Sequence, residues 1–157
     1  MSDIILFAHP TFGVLGILAA VWVFVEALNA TEGNAARLRT AAIAVAVFMG
    51  LAWVLGGYWY VNFYAPEKAI ILKGPWPWAH NMVMEIKEHL FFIPLVLAFY
   101  LPFATRDKLF ANTAARTMVL SVAALIALSA FAIEGGGAII NYGAKVALLH
   151  TGVQGVE

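Results

Sequence analysis

The stretch Asn81–Pro102, NMVMEIKEHLFFIPLVLAFYLP, decides how this chain is read. From Leu90 onward it is apolar enough for lipid, yet Glu85, Lys87, Glu88 and His89 stand at its mouth. The apolar part, Leu90 to Phe103, has 14 residues. At about 1.5 Å per residue that is roughly 21 Å of helix, short of the ~30 Å hydrocarbon layer. The helix must therefore begin earlier, with Glu85 to His89 at or just inside the apolar boundary. Ionisable groups at the centre of a membrane helix cost roughly 2.5–3.5 kcal/mol each, and less toward the interface. That cost is tolerable when they face a bundle interior and find partners there.

The rest of the chain agrees with a lipid setting. Of its 157 residues 63% are hydrophobic and only 11% charged, against about 25% charged in ordinary soluble domains. This composition predicts one integral membrane domain over residues 1–157, in contact with the lipid bilayer. Nine basic and nine acidic residues balance, and no basic stripe points to nucleic acid. There are no cysteines, which excludes disulfides, thiolate metal sites and covalent c-type haem. The start, MSDIILFAHP, carries Asp3 and no basic region, so the first apolar run is expected to stay as a helix.

Four apolar segments set the expected fold class: all-α, a four-transmembrane-helix bundle with approximate spans 4–28, 36–63, 80–103 and 114–142. The first and third loops hold Arg37, Arg39, Arg106, Lys108 and Arg116, and the opposite side has Lys68, Lys73 and Lys145. The excess of basic residues places loops one and three in the cytoplasm and both termini on the extracytoplasmic side. Glu26, near the inner end of helix one, is expected to pair with Arg37 or Arg39. Trp59, Tyr60, Tyr64, Trp76 and Trp78 suit an aromatic belt at the headgroups.

The two halves echo each other. Ala-Ala-Arg occurs at 35–37 and 114–116, Gly-Gly at 56–57 and 135–136, and His9 stands 80 residues before His89. The near-constant offset predicts a tandem duplication of a two-helix hairpin, its copies related by an axis along the membrane normal. His9 and His89 then face one another across the bundle, a geometry suited to a ligand on the axis.

Polar residues gather on the outer half. Glu85 and His89, four apart, share a helix face, and Asn81, Met82 and Glu88 join that stripe. Glu134 lies near the outer end of helix four, while Lys87 is expected to snorkel to the headgroups. His80 and His150 read as solvated interfacial histidines. His9, Glu85, His89 and Glu134 converge, and ionisable residues within a membrane are a functional hypothesis by default. Gly56, Gly57, Gly135 and Gly136 read either as close-packing positions or as a bare wall beside a flat cofactor.

Three readings follow. In the first, His9 and His89 are the axial ligands of one haem b near the outer face. The four-helix plan with paired histidines resembles the four-helix membrane cytochrome b subunits of respiratory enzymes. That resemblance implies a membrane subunit of an oxidoreductase, exchanging electrons between quinol and an outer-side cytochrome or respiratory subunit. Such families usually carry two haems, but no histidine lies near the inner face here, so one is expected. Glu85, Glu88 and Glu134 would relay protons. In the second reading, His9, His89, Glu85 and Glu134 hold a non-haem iron, copper, zinc or manganese ion. The bundle motif Glu-x-x-His is not met, because the spacing is Glu85-x-x-x-His89. The third reading has no cofactor: an accessory or proton-translocating subunit, in a homo- or hetero-oligomer.

Overall fold

The computed structural model describes residues 2–154 and is helical throughout, with no strand among the described residues. Helix α1 (Ser2–Leu28) leads through a 3-10 turn (Glu32–Asn34) into α2 (Ala35–Lys73). A short Gly-Pro-Trp-Pro turn follows. A π-helical segment (Ala79–Met84) then runs directly into α3 (Glu85–Leu90) and α4 (Phe92–Ala104), and α5 (Thr113–Gln154) closes the chain.

The π segment, α3 and α4 form one rod interrupted at Phe91. Phe91 N–H still donates to Lys87 O at 3.1 Å, and Leu95 N–H to Phe91 O at 3.2 Å. The break has a covalent cause: Pro94 has no N–H to offer the Leu90 carbonyl, and its ring crowds that oxygen. Among the described residues, three helices are long and apolar enough to cross a membrane, within Asp3–Leu28, Glu32–Lys73 and Thr113–His150. Those helices are compatible with a membrane protein.

Helices α2 and α5 outrun the spans expected for them. The 39 residues of α2 make about 58 Å and the 42 of α5 about 63 Å, roughly twice a hydrocarbon layer. Charged residues such as Glu67, Lys68 and Lys145 end a lipid-compatible stretch without ending a helix, so the apolar pattern alone undercounts both.

Helix α1 packs on α2 and α5, and α4 packs on the same two. The core they share is rich in alanine: Ala20 and Ala27 of α1, Ala41 and Ala42 of α2, Ala98 of α4 and Ala123 of α5 are all fully buried. Small side chains let backbones approach closely, which is how helices associate where lipid removes the hydrophobic driving force. Larger apolar residues face outward instead, Phe7, Leu18, Val61, Val96, Leu128 and Phe131 among them. A second, smaller core lies toward the far end of α2 and α5, where Tyr64 and Ile71 meet Ala79 and Met84 of the rod and Ile140 and Ala144 of α5.

The first turn is tightly fixed. Thr31 caps it, and the buried Asn34 side chain donates to Glu26 O (3.0 Å), Glu26 Oε2 (2.8 Å) and Asn29 O (3.2 Å) while accepting from Thr31 N–H (2.8 Å). Arg37 Nε completes the knot by pairing with Glu26 Oε1 at 3.0 Å, one of the two pairings expected. This turn meets the α4–α5 turn, since Thr31 and Asn34 share a crevice with Thr105 and Asp107. Loops one and three therefore lie at one end of the molecule.

The matched positions of the sequence repeat do not have matched surroundings. Gly56 is covered by the His9 ring, whereas its counterpart Gly135 has open space above it. His9 is half-buried and His89 exposed.

Candidate functional site

The interior layer nearest the start of α1 is polar, and glycines make room for it. His9 Nδ1–H donates to the Ala52 carbonyl at 2.8 Å. A carbonyl only accepts, so the proton sits on Nδ1 and Nε2 is the free ring nitrogen. The ring sits against Gly56: a Cβ there would stand 2.6 Å from both Cε1 and Nδ1. One turn further along α1, a Cβ on Gly13 would collide with Oε1 of Glu134, so the α5 carboxylate is seated directly on the α1 backbone. From the rod, Lys87 points at α5, where a Cβ on Gly137 would stand 3.1 Å from its Nζ. Lys87 is within electrostatic reach of His9, Glu134 and Glu88. An imidazole, an ammonium and a carboxylate from α1, α3 and α5 thus share one level of the structure.

This layer is not the one expected from the sequence. Lys87, expected to snorkel outward, is half-buried. His89 follows it by two residues, about 200° around a helix, and is exposed. The His89 ring donates Nδ1–H to the Glu85 carbonyl of its own helix at 2.7 Å. Glu85, Asn81 and Met82 share that exposed face. The structure therefore brings His9 and Glu134 toward Lys87 and does not bring His89 or Glu85 to them. Of the four glycines, Gly56 carries the His9 ring, a Cβ added at Gly136 would stand 3.4 Å from Val83 Cγ1, and one added at Gly57 or Gly135 would meet nothing within 4 Å. No group of three or more His, Asp or Glu side chains among the described residues is placed to hold a metal ion.

A pattern for Lys87 was present in the sequence. The buried or half-buried positions along the rod include Met84, Lys87, Phe91, Leu95, Ala98 and Leu101. Their steps of three and four define one helical face, and that face runs through Lys87, with Glu88 beside it.

The second polar group lies beyond this layer and was not expected. His80, read as solvated, is only 3% exposed. The wider π turn, rare and often found at functional sites, carries it inward. Its Nδ1 is 3.1 Å from the hydroxyl of Tyr64, itself 2% exposed. Tyr60 stacks on Tyr64 with ring centroids 5.1 Å apart. The Tyr60 hydroxyl lies next to the Glu88 carboxylate. One oxygen of that carboxylate, Oε1, is buried without a hydrogen-bond partner. His150 lies exposed near the end of α5.

An open cleft of about 460 Å³ separates the rod from α5, lined by Ile86, Lys87, Ile93, Ser129, Ile133 and Gly136. No protein-family model, curated protein or solved structure matches this chain.

Proposed function

We propose that this chain is a four-helix membrane bundle that passes protons through an interior layer formed by His9, Lys87 and Glu134, as a subunit with no cofactor of its own. The observation that carries the reading is the seating of Glu134 on Gly13 and of Lys87 on Gly137. Two chargeable groups of opposite sign are held at one level, each on a backbone stripped of side chains, beside an imidazole with one free nitrogen. Acids, amines and imidazoles are the side chains that donate and accept protons in proteins, and the imidazole changes charge near neutral pH. In an apolar surround, groups like these are retained for ion or proton traffic rather than for stability. The basic residues of loops one and three set that end in the cytoplasm, with the polar layer and both termini toward the outer side.

A second reading keeps the haem. It rests on the orientation of His9 and His89, each of which donates Nδ1–H to a backbone carbonyl. Metal-ligating histidines commonly do the same, leaving Nε2 for the metal. Electron exchange between quinol and an outer-side redox partner belongs to this reading. It requires the exposed His89 ring to turn inward past Lys87.

Two measurements on the purified protein separate the readings. An optical spectrum, oxidised and reduced, should be free of b-type bands on the first reading and should show bands that vanish in His9→Ala on the second. Vesicles holding a pH-sensitive dye should equilibrate an imposed pH step faster with the protein than without it. A protein with b-type bands and no effect on proton equilibration would replace the first reading with the second.

A further inference from the structure

Resting on the proton-handling reading, we infer that His80, Tyr64, Tyr60 and Glu88 form the proton entry route from the outer end of the molecule to the Lys87–Glu134 layer. His80 and Tyr64 are among the most deeply buried polar side chains described, and they are hydrogen-bonded to each other. The Tyr64 ring stacks on Tyr60, one helical turn toward the interior layer, at 25° between ring planes. Tyr60 adjoins Glu88, whose Oε1 is buried and has no partner of its own. A buried carboxylate oxygen without a hydrogen bond is costly to keep, and a proton arriving there lowers that cost by removing the charge. Glu88 is in turn within electrostatic reach of Lys87. The groups follow one another from the π turn to Glu134.

The chemistry balances at each step. His80 takes a proton at one ring nitrogen and releases the other to the Tyr64 oxygen, as the Tyr64 hydroxyl proton leaves toward Tyr60. The same exchange at Tyr60 delivers one proton to Glu88. Both tyrosines end as they began, His80 ends neutral but in the opposite tautomer, which a turn of its ring restores before the next proton, and Glu88 ends protonated. No electron moves. Between the two stacked tyrosines the route takes a bridging water, which joins polar groups almost as well as a direct bond. The charged groups near His80 are Lys68 from α2 and Glu85 and Glu88 from α3, and Glu67 of α2 lies near Tyr64. Glu67 and Lys68, on the part of α2 that extends past the expected span, stand where the route opens.

The test uses the full chain in phosphatidylcholine vesicles with an entrapped pH-sensitive dye, reading the rate at which an external pH step reaches the lumen. Tyr64→Phe keeps the ring stack and removes one hydroxyl. Glu88→Gln keeps size and removes the titrating group. Each should slow equilibration roughly tenfold or more, while Glu32→Gln, exposed in the first turn at the other end of the molecule, should leave it unchanged. Glu88→Asp should restore a large part of the rate although it fits the site less well than Gln, a result that packing alone would not give. Wild type faster than empty vesicles, with Tyr64→Phe and Glu88→Gln both as fast as wild type, would refute the route and leave the proton reading standing. Wild type no faster than empty vesicles would remove that reading and this route with it.

Discussion

Gly56 and Gly57 are neighbours with opposite surroundings, and the pair gives a sharp test of the packing around His9. At Gly57 an added methyl meets nothing within 4 Å. Replacing glycine by alanine in a helix then gains about 1 kcal/mol of propensity, so Gly57→Ala should stabilise by about that amount. At Gly56 the same methyl lands 2.6 Å from two atoms of the His9 ring. An imidazole moves as a rigid plate, so the ring must swing away and surrender its 2.8 Å bond to Ala52 O. Losing a hydrogen bond and stranding its partly buried partners costs roughly 1–3 kcal/mol. Gly56→Ala should therefore come out about 1–3 kcal/mol less stable than Gly57→Ala, despite identical chemistry one residue apart. Unfolding of the purified protein in detergent micelles, followed by loss of helical circular dichroism, measures the difference. Adding His9→Ala to Gly56→Ala should remove most of the penalty, because the clash and the bond disappear together. Equal stabilisation by both alanines would refute the placement of the His9 ring on α2.

Other outcomes follow from the same geometry. Asn34→Ala deletes three donated hydrogen bonds and the Thr31 N–H bond that completes the capping box, and should destabilise by roughly 2–3 kcal/mol in the same unfolding assay. Met49→Ala opens a cavity at a position 1% exposed in the shared core, and should cost roughly 2–5 kcal/mol. Gly13→Ala should leave stability nearly unchanged, since the atom it displaces is the flexible end of Glu134, yet it should lower the vesicle proton rate by moving that carboxylate.

The helical, lipid-compatible character was legible because it depends on composition and run length, which survive any error in detail. The ends of α2 and α5 were not, because Glu67, Lys68 and Lys145 interrupt hydropathy without interrupting backbone hydrogen bonds. Within the site, His9 and Glu134 could be placed inside from their positions on apolar helices, and the Glu26–Arg37 pair from proximity across a short turn. Lys87 and His89 were read the wrong way round for a physical reason. Histidine invites a ligand role and lysine invites snorkelling, but side-chain type does not set rotation about a helix. The spacing of Met84, Phe91, Leu95 and Ala98 does, and it turns Lys87 and Glu88 inward. His80 was hidden by the π turn, whose extra residue shifts every later position relative to an α-helical count.

The proposal that the interior layer carries protons is tested most directly by one comparison: dye-reported proton equilibration in vesicles containing wild type or Glu134→Gln. Wild type should exceed empty vesicles, and Glu134→Gln, with helix content and unfolding midpoint intact, should fall by roughly tenfold or more. Equal rates for wild type and Glu134→Gln would contradict it.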